Sequence, residues 1–200
     1  YPNINRPGIL FWGGPNEPWA GDDFKKVVDL SNEFVMQYDG TRLYSFAAVL
    51  IPQYYTSWKT NDDLDVLSPN NYAGTHSGER GEWYEEVHKS MDEFEAELGS
   101  ENYDRPVIIM EYGYWHETWK AEEEWYENQV KCLNESVTAY LEMGVTSFTW
   151  FTVFDYIGFR SPDGWYSSGF GVYSLDGWTR FDPVANEMRD IYGNITETNL

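Results

Sequence analysis

Cysteine, histidine and basic residues are all scarce in this chain, and each scarcity removes a class of chemistry. Cys132 is the single cysteine among 200 residues, so no intrachain disulfide can form. The three histidines, His76, His88 and His116, are scattered, with none of the short spacings that gather ligands around zinc, so no metal site is expected. Against 34 Asp and Glu stand 13 Lys and Arg, a formal charge of -21. So acidic a chain repels phosphate backbones and anionic headgroups, and neither nucleic acid nor a membrane is expected as a partner. The acidity also suits solubility or a salty habitat, between which composition does not choose. No run approaches the roughly 18 apolar residues of a membrane span. The opening Tyr1-Pro2-Asn3-Ile4-Asn5 lacks the basic-then-apolar pattern of a signal peptide. Internal repeats, low-complexity tracts and Pro/Gly/Ser linkers are missing too, so nothing divides the sequence into separate domains.

What is abundant is apolar, and above all aromatic. Hydrophobic residues make up 42% of the chain, enough for a sizeable core, which places it among globular domains or pieces of one. Ten Trp, 16 Tyr and 11 Phe exceed what such a core needs. Most are ordinary core residues, and the surplus suits a site where flat sugar faces stack on rings. Asn134-Glu-Ser136 and Asn194-Ile-Thr196 fit the N-glycosylation triplet, which has meaning only in a protein secreted from a eukaryote.

Short apolar runs alternate with longer amphipathic stretches, the pattern of successive βα units, so the fold class is α/β around a parallel sheet. Ile9 to Gly13 reads as a buried strand. Asp22-Asp23 then opens a helix whose apolar positions Phe24, Val27, Val28, Leu30, Phe34 and Val35 recur at helical spacing until Asp39-Gly40. Leu43 to Leu50 and Asp65 to Ser68 read as strands separated by an aromatic, polar loop from Ile51 to Asp63, which leaves one helix unaccounted for. Glu82 to Leu98 is an amphipathic helix stopped by Gly99, and Pro106 to Met110 an apolar strand. Glu122 to Met143 is the longest helix, acidic at its start and followed by Gly144, and Val145 to Phe151 is the next strand. A long loop rich in Gly and aromatics, Thr152 to Arg180, suits a substrate cover, and a last helix runs from about Pro183 to Tyr192. Five parallel strands, near residues 9, 45, 66, 107 and 147, are too few to close a (β/α)8 TIM barrel. A preceding segment with about three more βα units is therefore expected, in the same precursor or as a companion chain.

Cleavage of a glycosidic bond needs one carboxyl to protonate the leaving oxygen and another to attack or to activate water. Barrels present such groups at the C-terminal ends of different strands. Two glutamates fit that placement. Glu17 lies in Trp12-Gly-Gly-Pro-Asn-Glu-Pro18, just past the first strand, where glycines and prolines force an irregular turn. Glu111 lies in Val107-Ile-Ile-Met-Glu-Tyr-Gly113, straight after an apolar strand. A charged group ending a buried run costs on the order of several kcal/mol if unpaired, so chemistry or pairing must hold it there. A salt-bridged strand end would explain either glutamate alone, and two such cases in one chain favour a catalytic pair.

Asn16-Glu17-Pro18 after Phe11-Trp12, and Glu111-Tyr112-Gly113 after Arg105-Pro106, resemble the catalytic-barrel signatures of glycoside hydrolase family 2, which includes β-galactosidases, β-glucuronidases and β-mannosidases. The 94 positions between the two glutamates are similar to that family's spacing, and Asp65-Val-Leu-Ser-Pro-Asn-Asn-Tyr-Ala-Gly74 resembles its sixth-strand motif. The resemblance spans nearly the whole chain and implies that residues 1–200 are the C-terminal part of a single barrel, its fourth to eighth strands. It implies Glu17 as general acid/base, Glu111 as nucleophile, Asn16 as hydrogen-bond partner of the sugar's 2-hydroxyl, Tyr72 as the holder of Glu111, and Trp150 as a wall of the site. Trp115 and His116, just after the nucleophile, are assigned as substrate contacts, while Tyr112, Tyr114 and Trp119 divide between subsites and packing. Trp12 reads as core, and Trp165, Tyr166, Trp178 and Arg160 sit on the final loop within reach of a subsite. Two departures stand out. Trp150-Phe-Thr-Val-Phe-Asp-Tyr156 carries one residue more before Asp155 than the common family pattern, and Phe181-Asp182-Pro183 replaces the usual basic-proline step.

The implied chemistry is retention through a covalent glycosyl-enzyme intermediate, with no cofactor and with carboxyl groups roughly 5 to 5.5 Å apart. Glu17 should start protonated and buried beside a second carboxylate. The implied partner is an oligosaccharide or polysaccharide with a β-glycosidic bond. Two alternatives share the same residues. Retaining enzymes of the same clan, such as family 5 endo-glucanases or mannanases, also place Asn-Glu-Pro and a later strand-end glutamate in this way. A carbohydrate-binding protein could keep the cleft without turnover.

Overall fold

The computed structural model describes residues 6–17, 22–50, 64–99, 103, 105–115, 123–152, 156–161, 164–168, 170–173 and 182–198. The strands are β1 (Phe11–Asn16), β2 (Leu43–Val49), β3 (Ser68–Asn70), β4 (Ile109–Tyr112), β5 (Phe148–Trp150), β6 (Tyr156–Ser161) and β7 (Gly164–Ser168). The helices are α1 (Asp22–Asp39), α2 (Trp83–Leu98), α3 (Glu123–Glu142) and α4 (Asp182–Thr198). The first five strands form one sheet in the order β1-β2-β3-β4-β5, with β1 parallel to β2 and β2 parallel to β3. A parallel bridge between Leu67 and Val107 carries the pattern towards β4. This is the α/β partial barrel that the alternation of strands and helices predicts.

Several strands lie further along the chain than their apolar runs suggest. β1 is Phe11–Asn16 rather than Ile9 to Gly13, β3 is Ser68–Asn70 rather than Asp65 to Ser68, and β4 is Ile109–Tyr112 rather than Pro106 to Met110. Backbone pairing does not require apolar side chains, so the ladder runs on into the polar residues at the strand ends. Asn16 and Glu111 consequently sit inside strands, not after them. The stretch that reads as one loop from Thr152 to Arg180 holds an antiparallel hairpin, β6 paired with β7. The signal for it is Pro162-Asp163-Gly164 between runs of β-prone aromatics, a turn sequence with aromatic arms. Helix α4 continues past Tyr192 to Thr198, because one interior glycine, Gly193, costs a helix only about 1 kcal/mol. The loop at 51–63, where the βα alternation leaves a helix unaccounted for, lies outside the described residues.

Internal contacts group the chain into two compact units. The first comprises Tyr1–Asn71, Lys89–Met110 and Val145–Phe148. Its core forms where Phe24 and Val28 of α1 meet Tyr44, Phe46 and Ala48 of β2, with Leu64, Leu67, Phe94 and Leu98 closing around them. Each large side chain so buried contributes about 1.5–3 kcal/mol relative to exposure. Helix α2 stops where Gly99 takes φ 78°, its N–H bonding to Glu95 O at 3.0 Å. The apolar stripe of α1 is wider than its buried face: Leu30 is 54% and Phe34 59% exposed, and nearby in the sequence Leu10 and Leu43 are 78% and 46% exposed.

The second unit comprises Tyr72–His88, Glu111–Gly144 and Thr149–Leu200. Trp83, Tyr112, Leu133 and Tyr140 are its largest wholly buried side chains, and Gln129 is buried with them, donating to Tyr114 O at 3.2 Å. Tyr112 meets Tyr140 and Trp150 edge-on, with ring centroids 5.7 and 5.3 Å away.

One polar network in the first unit ties α1 to the approach of β1. Asp39 ends α1 and accepts from Thr41 Oγ1 at 2.6 Å and Trp12 Nε1 at 2.9 Å, and it pairs with Arg42. Arg42 in turn donates to Ile9 O at 2.9 Å and Arg6 O at 3.1 Å. The donors from Thr41, Trp12 and Arg42 hold the Asp39 carboxyl down, from its ordinary 3.8 to about 2. A depressed folded-state value means that the stabilisation is present above the unfolded value and is lost as pH falls through the folded one. Asp39→Asn should therefore lower the urea midpoint most above pH 3.8, and the difference from wild type should shrink as pH approaches about 2. A constant difference across that window would show that the carboxylate charge is not what the network uses.

Candidate active site

Strand β1 reaches the site through a bulge. Gly13 pairs with Ser45 and Asn16 with Ala47, so three steps along β1 match two along β2, and one residue is extra. Side chains alternate faces along a strand, so the extra residue reverses the parity of the positions beyond it. Trp12 packs with Tyr44 and Phe46 on the face that meets the helices. Ser45 belongs to the opposite face, where its hydroxyl donates to Val66 O and lies 2.7 Å from Ser68 Oγ. The bulge puts Asn16 in register with Ala47, on the Ser45 face. Only glycine fits at position 14 in the bulge, since a Cβ there would lie 2.4 Å from Tyr44 Oη and 3.3 Å from Phe46 Cβ.

Glu17 comes next with φ 40°, the left-handed region that costs a side-chain-bearing residue about 1 kcal/mol. Its N–H donates to Ala47 O at 2.8 Å, which extends the β1–β2 ladder past the bulge. Its carboxyl accepts from Asn70 Nδ2 at 2.8 Å, and the same nitrogen lies 3.2 Å from Asn16 Oδ1. The side chains of Asn16 and Glu17 are exposed, which corrects the expectation of a buried Glu17: among the described residues β1 is an outer strand of the sheet, with β2 as its one strand neighbour.

Glu111 belongs to the second unit and is half-buried in β4. Tyr72 Oη donates to its Oε2 at 2.9 Å. The Tyr72 ring is itself packed, 5.1 Å from His76 and 5.8 Å from Phe170 between centroids. A buried relay fixes the surroundings: Trp83 Nε1 donates to Thr75 Oγ1 and Thr75 Oγ1 to Gly113 O, both at 2.9 Å. The turn after Tyr72 has Gly74 at φ 75°, against the Trp83 ring, and a Cβ there would stand 2.7 Å from Trp83 Cδ1. A Cβ on Gly113 would stand 2.7 Å from Phe151 O. Trp115 is half-buried, stacked on His76 at 6.4 Å and covered by the Arg80 guanidinium at 5.4 Å. Trp150 is buried, its Nε1 donating to Phe170 O at 3.1 Å. Burial holds the Tyr112 phenol well above its ordinary value, so it stays neutral within the core. His116, Trp119 and Asp155 lie outside the described residues, as do Trp178 and the side chains of Arg160, Trp165 and Tyr166. Among the described residues no three His, Cys, Asp or Glu side chains gather as metal ligands, and no helix is long and apolar enough to cross a membrane.

Glu17 is thus held by an amide in the first unit and Glu111 by a phenol in the second, and comparison with known proteins gives the chain a family. Residues 2–148 match the model of glycosyl hydrolases family 2, TIM barrel domain. The chain belongs to glycosyl hydrolase family 2. Solved structures similar to this family 2 chain include an FMN-binding β-glucuronidase from Faecalibacterium prausnitzii L2-6, at 25% identity and TM-score 0.65, covering 89% of this chain and 28% of that one. A β-galacturonidase from Eisenbergiella tayi bound to galacturonate has 18% identity and TM-score 0.74, covering 94% and 34%. A β-D-glucuronidase from Dictyoglomus thermophilum has 18% identity and TM-score 0.72, covering 94% and 32%. The chain thus spans about a third of the length of these relatives. No curated protein matches it.

Sequence pattern does not single out Asn70, which bonds to Glu17, or Thr75, His76 and Arg80, which contact Gly113, Tyr72 and Trp115. Asn70 carries a usable signal, since a polar residue ending a buried run is the same cue that singles out Glu111. The others act through a turn geometry that sequence spacing does not reveal. If the bulge governs where Asn16 and Glu17 stand, Gly14→Ala should destabilise the protein by about 1–3 kcal/mol through the clash with the fully buried Tyr44. Thermal or urea unfolding measures this, and an unchanged midpoint would mean that the strand takes up the added methyl group without cost.

Proposed function

We propose that this family 2 chain supplies the catalytic half of a retaining glycoside hydrolase, with Glu111 as nucleophile and Glu17 as general acid/base. The observation that carries the reading is the 2.9 Å hydrogen bond from Tyr72 to Glu111 at the end of a sheet strand. A nucleophilic carboxylate must be ionised and fixed, and a phenol donating to Oε2 favours the charge and holds the group in place. Membership of the family and the exposed Asn16-Glu17 pair at the end of β1 support the same assignment.

In the first step a Glu111 carboxylate oxygen bonds to the anomeric carbon while the bond from that carbon to the leaving oxygen breaks, and the Glu17 proton passes to that oxygen. In the second step Glu17, now a carboxylate, takes a proton from water; the water oxygen bonds to the anomeric carbon, and Glu111 leaves as a carboxylate. Two inversions give net retention. Asn16 donates to the sugar's 2-hydroxyl, and Trp115 and Trp150 bound the sugar. The solved relatives named as β-glucuronidases and a β-galacturonidase make β-linked uronic acid glycosides the first substrates to test.

The barrel that this requires is completed, on our reading, by preceding βα units from the same precursor or a companion chain. Exposed Leu10, Leu30, Phe34 and Leu43 and the outer position of β1 support this, as does the share of the relatives that the chain spans.

In the full-length protein Glu111→Gly should lower turnover by about 10⁴-fold or more, and azide should restore it by forming a glycosyl azide of inverted configuration. Wild-type-like activity in that variant removes the nucleophile assignment. Tyr72→Phe should lower kcat by about 10- to 100-fold, the loss of one hydrogen bond to a charged group. The first-formed anomer, followed by NMR, should keep the substrate's β configuration, and release of the α anomer would replace double displacement with inversion.

A further inference from the structure

We infer that Asn70 is a positioning residue for the acid/base half of the reaction: its side-chain amide clamps the Glu17 carboxyl. The inference rests on the reading of Glu17 as acid/base and assigns a role to a residue outside that reading.

Asn70 ends β3 and is 2% exposed. An amide nitrogen carries two hydrogens, and here both have acceptors, Glu17 Oε1 at 2.8 Å and Asn16 Oδ1 at 3.2 Å. Both acceptors being oxygens, the amide has one sensible orientation while Glu17 is ionised, because the reversed amide would press its own oxygen against the carboxylate. That orientation leaves Asn70 Oδ1 buried with no hydrogen-bond partner among the described residues. A buried orphan acceptor costs about 1–3 kcal/mol, and the amide bears that cost with its nitrogen committed to the two site residues.

The clamp fixes which atom remains free for the chemistry. Glu17 has its Oε1 engaged, so Oε2 is the oxygen that carries the proton outward to the leaving group and later takes one from water. The Glu17 side chain is exposed, and its backbone sits in the left-handed region, so packing alone does not choose its rotamer. A donor on Oε1 also binds more strongly to a carboxylate than to a carboxylic acid, so the clamp tightens as Glu17 gives up its proton.

A role through Glu17 predicts dependence on the leaving group, which a role in folding alone does not. In the full-length protein, Asn70→Ala should lower kcat/KM about 10- to 100-fold for an alkyl β-glycoside, whose leaving oxygen needs a proton. For the matching 2,4-dinitrophenyl glycoside, which departs unaided, kcat/KM should stay within about threefold of wild type. In a Glu17→Ala background the same substitution should add no further loss on the alkyl substrate. Asn70→Leu keeps the bulk without the donor and should show the same pattern, which provides a second variant if alanine impairs folding. Equal losses on both substrates, or losses that multiply with those of Glu17→Ala, would overturn the inference. If Glu17→Ala itself shows no leaving-group dependence, the acid/base assignment fails instead, so the two failures are distinguishable.

Discussion

The one-residue bulge in β1 is the constraint on which the first half of the site depends. In a regular strand the residue paired with Ala47 would be Pro15, and Asn16 would face the helices with Trp12. The inserted residue moves Asn16 to the opposite face, in register with small residues of β2. Only then can Asn16 and Glu17 meet Asn70 at the end of β3. The bulge is possible because Gly14 lets the backbone pass close to Tyr44, and it is closed by the Glu17 N–H on Ala47 O. Sequence, backbone and side-chain direction are here a single chain of cause.

The surroundings of Glu111 depend on a different device, a set of buried hydrogen bonds in place of a backbone irregularity. Thr75 joins Trp83 to the carbonyl of Gly113, so the turn carrying Tyr72 and the segment leaving β4 share one buried hydroxyl. A hydroxyl that both donates and accepts holds position more firmly than two separate pairs, since moving it breaks both. Tyr72 can then present its phenol to Glu111 with its own ring pinned by Phe170 and His76.

Much of this is legible in the chain. Periodicity locates α1, α2 and α3 to within a residue or so, because helices bury one face and stop at glycines such as Gly99 and Gly144 that take positive φ. The two glutamates stand out because charge at the end of an apolar run is costly. Strand ends are obscured for the same reason that they matter: the paired backbone extends into Asn16, Asn70 and Glu111, whose polarity suggests loop. The β6–β7 hairpin is hidden in a segment whose glycines and aromatics fit both an extended loop and a ribbon. Asn70 is visible as a letter in a motif, but its partner lies 53 positions away, and spacing alone cannot name such a contact.

The distribution of local cost bears on whether the site turns over or only binds. A protein that merely held a sugar would be served by the Asn16 amide and by rings such as Trp115, which need no strained backbone. Here a side-chain-bearing residue in the left-handed region, a glycine pressed on a buried phenol and a buried orphan oxygen on Asn70 all converge on one carboxyl group. Each is unfavourable for stability, by about 1–3 kcal/mol for strain or an orphan acceptor. What they share is that each fixes where a Glu17 oxygen points. Orientation of that kind matters little for binding strength and greatly for proton transfer, which needs the donor oxygen within hydrogen-bond reach and in line. The concentration of strain at Glu17 is therefore what the proposed acid/base role would require.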